Sequence, residues 1–387
     1  MSSTAPPQAR HWRSAAQALE LLRRRPELTR RALATELALG SGATSNLVGR
    51  LRATRLLAER PAASGRPGRP TTRLHAHSEG PVVLAIDLRH GEWRLAACGL
   101  DGELAHLHCE PHGRREAGSL VARLRRVVAQ AAKRFEGRAV GVGVAVPGLT
   151  AGTRLLDAAM LGWREVDLAP IGAGLPMVVG NDATMAAVAE ARSRPAVGAL
   201  LHLVLEVGIG GSLVLDGRPV QGARGLAGEF GHLPFGDPAQ ICGCGAHGCW
   251  GVAFDPRQVA ARLGQPEPTD PRGWLRGMFE ASQPTAAERR LRGELAGNLG
   301  AGTAGLVNAL APHAVSLGGL GGVLRDASPK TFQQAFAAGL MDVHRRQPPE
   351  IATAQGGEDA VLVGVSLAAL DAVLDARRLA LWAGKAQ

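Results

Sequence analysis

Three of the chain's five cysteines fall within eight residues, in Cys242-Gly243-Cys244-Gly245-Ala246-His247-Gly248-Cys249, and His232 stands ten residues before the first of them. Thiolate and imidazole are the groups that hold a structural Zn²⁺, which takes four of them in a tetrahedron. The interleaved glycines let the backbone fold tightly enough for three sulfurs to converge on one ion. Cys242, Cys244 and Cys249 are therefore assigned as metal ligands, with His232 as the natural fourth and His247 as the alternative. Four protein ligands leave no open position, so such a zinc shapes a loop and does not activate water.

The residues around this knuckle carry a resemblance. Glu229-Phe230-Gly231-His232, nine further residues and CxCGxxGC resemble the signature of the ROK family, which comprises repressors, open reading frames and sugar kinases. Asn181-Asp182 and Gly318-Gly319 are further specific points of likeness. The resemblance implies a two-lobed, ribonuclease-H-like body of the actin and hexokinase type over residues 82–375, its lobes meeting near Asp182 in a ligand-binding cleft. It also implies that Asp182 occupies the place of the catalytic base, and that Asn181, Glu229 and His232 stand at sugar contacts. His232 would then serve metal and ligand together.

The same comparison exposes departures. Family kinases carry Asp-x-Gly-Gly-Thr at the first phosphate turn, where this chain has Asp87-Leu88-Arg89-His90-Gly91. At the second turn the usual Gly-Thr-Gly-Ile-Gly is Glu206-Val207-Gly208-Ile209-Gly210. Phosphate-binding turns work by presenting backbone N–H groups closely. Bulky side chains obstruct that approach, and a carboxylate at Glu206 repels the phosphate. Among the sugar positions, Met160 replaces an asparagine, Gly180 a glutamate and Gly251 another glutamate. Loss of these polar groups favours a modified sugar, with an apolar patch facing Met160 and a larger substituent in the room at Gly251.

These positions need elements to hold them. Residues 1–80 contain 14 arginines and five glutamates, with no lysine or aspartate, whereas residues 81–387 hold 30 basic and 29 acidic residues. A basic module on a neutral body points to a polyanion partner, most simply nucleic acid. After a disordered start over residues 1–12, a helix is expected from Arg13 to the break at Pro26. A second begins at a Thr29 cap and carries Leu33, and a third spans Ala43 to Ala53. A hairpin with a basic Arg66-Pro67-Gly68-Arg69 tip would follow, completing a winged helix-turn-helix. On the third helix Thr44, Ser45, Asn46 and Arg50 are placed to read base edges. Arg30 and Arg31 are assigned to phosphates, and Arg66 and Arg69 to a minor groove.

Beyond a linker at residues 76–81, strand runs at Val82–Asp87, Trp93–Cys98, Ala139–Val146, Val178–Asp182, Leu200–Leu205, Ser212–Leu215 and Ala314–Leu317 alternate with helical runs at Leu120–Phe135, Ala183–Ala191, Glu294–Leu310 and Asp359–Leu374. This is an α/β pattern. The expected domains are a DNA-binding head (13–75) and a sensor body (82–387). The body divides into a first lobe of about 82–192 with the C-terminal helix 359–385, and a second lobe of about 193–358.

Apolar residues make up 45% of the chain, no membrane-length apolar run occurs, and few cysteines lie outside the knuckle, which together place the protein in a reducing cytoplasm. The sequence therefore reads as a transcriptional regulator, most simply a repressor. It would be a homodimer on a two-fold double-stranded DNA operator, with a structural zinc, a sugar or modified-sugar effector, no membrane partner and no remaining phosphoryl transfer. The alternatives are a sugar kinase fused to a DNA-binding head, and a regulator with a vestigial pocket that answers to a protein partner.

Overall fold

The computed structural model describes residues 7–25, 28–61, 72–113, 116–159 and 161–385. The tip residues Arg66 and Arg69, and Met160 of the expected sugar contacts, lie outside the described residues.

The first helix, α1, runs over Pro7–Arg24 and so begins before the expected Arg13. Its Ala15, Ala18, Leu19 and Leu22 are buried at helical spacing, so its register is set by packing. α2 covers Arg30–Glu36 and is capped as expected, the Thr29 hydroxyl accepting from Ala32 N at 3.1 Å. α3 covers Ser41–Ala53 and buries Leu47, Val48 and Leu51. Strands β1 (Leu57–Pro61) and β2 (Thr72–Ala76) pair antiparallel, completing a head of three helices and a hairpin.

Then come β3 (Val82–Leu88), β4 (Glu92–Cys98), β5 (Leu104–Pro111), helix α4 (Ala117–Arg134) and β6 (Ala139–Val146). A small antiparallel sheet of β7 (Leu149–Ala151), β8 (Arg154–Ala158) and β9 (Trp163–Asp167) precedes β10 (Met177–Asn181). The main sheet has the order β10-β6-β3-β4-β5, with β10, β6 and β3 parallel and β3, β4 and β5 antiparallel. β3 is buried along its whole length, which explains its unbroken apolar run Val82–Ile86.

Helix α5 (Asp182–Ser193) opens the next stretch, followed by β11 (Ala199–Leu205), β12 (Ile209–Leu215) and β13 (Arg218–Pro219). After the cysteine loop come α6 (Pro256–Arg262), α7 (Pro271–Glu280) and α8 (Ala286–Leu310), eight residues longer at its start than expected because Thr285 and Glu288 form a reciprocal capping box. β14 (Ala314–Gly319), α9 (Gly321–Ala327), α10 (Pro329–Gly339), α11 (Asp342–Arg346) and β15 (Glu350–Thr353) complete this part. Its sheet has the order β13-β12-β11-β14-β15, antiparallel from β13 to β11 and parallel from β11 to β15. Each main sheet is thus an antiparallel meander of three strands continued by two parallel ones. The two sheets repeat one topology.

The chain closes with α12 (Ala360–Val373) and α13 (Ala376–Lys385), two helices where one was expected. Asp375 separates them and caps the second, accepting from Arg378 N at 2.8 Å. The chain forms two compact units, residues 1–182 with 361–387, and residues 183–360. The head shares the first unit with the first main sheet. One apolar cluster joins Leu19, Leu33 and Leu51 of the head to Val83, Cys98, Leu370 and Leu379. α5 falls in the second unit from Ala183 onward.

Candidate metal knuckle and ligand-binding residues

The knuckle hangs between β13 and α6 and is held by its own backbone. Cys242 N donates to Ala246 O at 2.8 Å, Gly245 N to Cys242 O at 2.9 Å, and Gly248 N to Gln240 O at 2.9 Å. These bonds bring one nitrogen of His232 and the sulfurs of Cys242, Cys244 and Cys249 within 4.8 Å of one another. His247 is exposed and stands outside that group. A tetrahedron with Zn–S of about 2.3 Å and Zn–N of about 2.0 Å has edges of about 3.5–3.8 Å. Cys244 Sγ lies 3.6 Å from Cys249 Sγ, and Cys242 Sγ lies 3.7 Å from His232 Nδ1. The donor set fits a tetrahedral cation of that size. Without a cation the three thiols are unequal: against its burial, hydrogen bonds from Ala246 and from its neighbouring cysteines lower Cys244, whereas burial, then Cys244 and Cys242 alongside, push the Cys249 thiol up to about 12. A metal reverses this by binding the thiolates.

His232 is oriented for both neighbours. Its Nδ1 faces Cys242, while Nε2 lies 3.9 Å from Glu229 Oε2, an ion-pair contact longer than a hydrogen bond. Burial raises the Glu229 carboxyl, and His232 opposes that shift. Both residues are fixed by the turn between them. A Cβ on Gly231 would fall 2.1 Å from Ile209 O, so only glycine lets this turn sit against the start of β12.

After Cys249 the chain plunges into the core. Trp250 is fully buried, donates Nε1–H to Asn298 Oδ1 at 2.7 Å, and lies edge-on to Phe235 and Phe254 at 5.7 and 6.4 Å. Its ring occupies the place of a side chain at Gly302 on α8, where a Cβ would meet it at 2.2 Å. This anchor was missed in the sequence. The signal was available, because Gly297, Gly300, Gly302 and Gly305 inside a helical run mark a close approach. A Cβ on Gly251 would lie 3.3 Å from Gly231 O and 3.4 Å from Ile209 N, so this position stands against the turn that carries Glu229 and His232.

Asn181 ends β10, and its Nδ2 donates to Gly148 O at 3.3 Å. Asp182 is the first residue of α5, where a carboxylate suits the positive end of the helix. Both are partly exposed.

The turns at Asp87–Gly91 and Glu206–Gly210 occupy equivalent places, each joining the first two strands of a main sheet. In the first, Arg89 N donates to Glu92 O at 2.9 Å, closing a tight hairpin. Arg89 and Arg94 both donate to Asp87 Oδ2 at 2.8 Å, and Asp87 is 1% exposed. In the second, Glu206 N donates to Gly208 O at 3.0 Å, and the Glu206 carboxylate pairs with Arg272 on α7. A Cβ on Gly319, which has φ +58°, would lie 2.7 Å from Glu206 Oε1. The carboxylate therefore rests directly on the Gly318-Gly319 turn. Arg272 is a second residue that the sequence did not single out.

On the head, Ser45 and Asn46 are exposed on α3 and Arg50 is half-buried there. Among the described residues Arg50 and the exposed Arg31 have no ion-pair partner. Thr44 departs from expectation: it is 4% exposed and its hydroxyl donates to Gly40 O at 3.0 Å, so it packs the helix and does not project from it. Arg30 is occupied as well, donating to both oxygens of Glu59 at 2.6 and 2.7 Å, with Arg52 at 3.0 Å. The Arg30 hydrogen bond, against burial, holds Glu59 below its ordinary range.

Similar proteins share this architecture. Over 97% of this chain and all of the other, the structure of a ROK family transcriptional regulator, a homolog of the E. coli MLC protein, superposes with TM-score 0.77 at 21% identity, which shows a common fold. The N-acetyl-D-glucosamine kinase of Pectobacterium carotovorum subsp. carotovorum (strain PC1) is 38% identical over 129 residues, covering 28% of this chain and 41% of that kinase. The xylose repressor of Caldicellulosiruptor bescii is 26% identical over 226 residues, 54% of this chain and 56% of the repressor. The chain thus spans less than two thirds of either relative. Among the described residues, no helix is long and apolar enough to cross a membrane. Residues 83–372, three quarters of the sequence, match the ROK family, and the chain belongs to it.

Proposed function

We propose that this protein is a DNA-binding transcriptional regulator, a repressor in the simplest case, whose kinase-derived body senses a sugar and no longer transfers phosphate. The observation that carries the reading is the closure of both phosphate turns by the chain's own ion pairs, Asp87 with Arg89 and Arg94, and Glu206 with Arg272 over Gly319. The head supports it as a winged helix-turn-helix. α3 presents Ser45, Asn46 and Arg50 as the base-reading side chains, with Arg31 on a phosphate. Arg66 and Arg69 would extend that contact at the hairpin tip. His232, Cys242, Cys244 and Cys249 hold a structural zinc that fixes the loop carrying Glu229.

Asn181, Asp182, Glu229 and His232 are the proposed sugar contacts. The likeness to an N-acetyl-D-glucosamine kinase supports an amino-sugar-like effector. Effector and operator are then coupled by linkage, each changing the affinity for the other by the same factor, in a homodimer on a two-fold site.

The test is binding of the full chain to duplexes selected from a random pool, titrated at several salt concentrations. Affinity should fall steeply as salt rises, because phosphate contacts release counterions. A chain that enriches no duplex removes the reading. The second reading, a sugar kinase with a DNA-binding head, draws on the same kinase relative. Sugar-dependent ADP release that is abolished in Asp182→Ala would establish it in place of the first.

A further inference from the structure

We propose that Cys244 and Cys249 form a reversible oxidation site: a two-electron oxidant of the peroxide class joins them in a disulfide, and the knuckle gives up its cation. This rests on the reading of the knuckle as a zinc site. The two Sγ atoms already lie 3.6 Å apart, and a disulfide needs about 2.05 Å. The side that must move is free to do so. Gly245 and Gly248, between the two cysteines, have φ +91° and +68°, and a Cβ on Gly243 or Gly245 would meet no atom within 4 Å. Cys249 is the fixed partner. It is 1% exposed, Trp250 after it lies in the core, and Gly248 O before it accepts from Gly236 N at 2.9 Å. Closure is therefore a motion of Cys244 toward Cys249.

Access selects the same pair. Cys244 is exposed and Cys242 half-buried, so an oxidant in solvent meets Cys244 first. The remaining cysteines lack this arrangement. Cys98 is buried, and Cys109 is exposed but its thiol meets Glu92 Oε2 at 3.6 Å, not a second sulfur. The sulfur of Cys244 attacks one peroxide oxygen, the O–O bond breaks, and hydroxide leaves as water after taking a proton. The sulfur of Cys249 then attacks the Cys244 sulfenic sulfur, the S–O bond breaks, and a second hydroxide leaves as water. Both sulfurs enter as thiolates, so both protons come from solvent. Each sulfur gives one electron, and one peroxide becomes two waters. Cys242 and His232 then remain, too few donors for a tetrahedral cation. His232 and Glu229 are the proposed sugar contacts, so the oxidation state of the knuckle reaches the effector site through the loop they share.

The experiment treats the full-length protein, prepared reduced and loaded with Zn²⁺, with hydrogen peroxide, and Cys109→Ser in parallel. Released metal is followed with a chromogenic chelator, and the disulfide is mapped by mass spectrometry of peptides. Both proteins should release about one Zn per chain. A Cys244–Cys249 link should appear in the same proportion. Hydrogen exchange over residues 229–249 should accelerate about tenfold or more. A dithiol reductant with added Zn²⁺ should reverse all three changes. Metal retained under peroxide overturns the proposal alone and leaves the zinc reading standing. Release with only sulfinic acid at Cys244, or with a Cys242–Cys244 link in place of the expected one, overturns it too. Reduced protein that takes up no metal removes the zinc reading, and the proposal falls with it.

Discussion

His202 gives the most quantitative expectation. It lies on β11, with Ser212 of β12 and Ser316 of β14 as its cross-strand neighbours, all three fully buried. Its Nδ1 meets Ser316 Oγ at 2.7 Å, while Nε2 has no partner and points at Gly318. Burial lowers its pKa from 6.5 to about 4; Glu190 opposes the shift and Arg194 adds to it. In the unfolded chain the imidazole takes up a proton near pH 6.5, whereas the folded chain refuses it until about pH 4. Stability is therefore full above about pH 7 and falls as pH drops through this window. A depression of that size corresponds to about 3 kcal/mol once the loss is complete, and to about 2 kcal/mol at pH 5. Urea unfolding of the full chain and of His202→Asn, each at pH 5 and pH 8, isolates this contribution from the other histidines. The variant is expected to lose about 2 kcal/mol less than the parent on acidification. Equal losses in both proteins would refute the assignment of a buried neutral imidazole.

Three further outcomes follow from the sites. Metal analysis of protein prepared without chelators should find about one Zn per chain, and Cys244→Ser should abolish it and lower thermal stability; metal-free protein of unchanged stability counts against the knuckle. Asn46→Ala and Arg50→Ala should each relax sequence preference at a cost of about 1–3 kcal/mol in operator affinity, whereas Arg31→Ala should weaken all sequences alike; an unaltered footprint in the first two excludes α3 as the reader. Calorimetry should show an N-acetylated or deoxy sugar binding more tightly than glucose, with Glu229→Ala reducing the affinity by about 1–3 kcal/mol; tight glucose binding contradicts a modified-sugar site.

Much of the fold could be read because its signals are local. Val82–Ile86 is buried from end to end and Ala139–Val146 at every position but Val140, and a continuous apolar run is what such central strands require. The Thr29 cap and the cysteine spacing are equally local. The failures share a cause. Thr44 looks polar and well placed in sequence, but its position on the inner face of α3 is settled by Leu47, Val48 and Leu51. Arg30 looks available until Glu59, 29 residues on, closes on it. Arg272 lies 66 residues from Glu206. Sequence patterns carry the period of an element and the chemistry of a motif. They do not carry which distant side chain completes the pair.

The two closed turns bear on the proposal that the body does not transfer phosphate. Each lies between the first two strands of a repeated sheet, where backbone N–H groups would have to face a phosphate. Each holds a carboxylate matched to arginine, Asp87 with Arg89 and Arg94 in the first and Glu206 with Arg272 in the second. These pairs are not interchangeable decorations. Asp87 is almost wholly buried, and a buried carboxylate deprived of its partners is strongly destabilising, by about 3–5 kcal/mol when one side of a buried pair is removed. Replacing Arg94 with a smaller residue would therefore damage the sheet before it exposed any backbone donor. Glu206 is different: its side chain and that of Arg272 are each about two-fifths exposed, so their pairing contributes little to stability. Its effect is positional, because it covers Gly319. Glu206→Thr should consequently fold normally and uncover the second turn, while the first remains shut by Asp87, Arg89 and Arg94. Closure of the second turn is thus cheap to undo, whereas closure of the first is tied to the stability of its sheet.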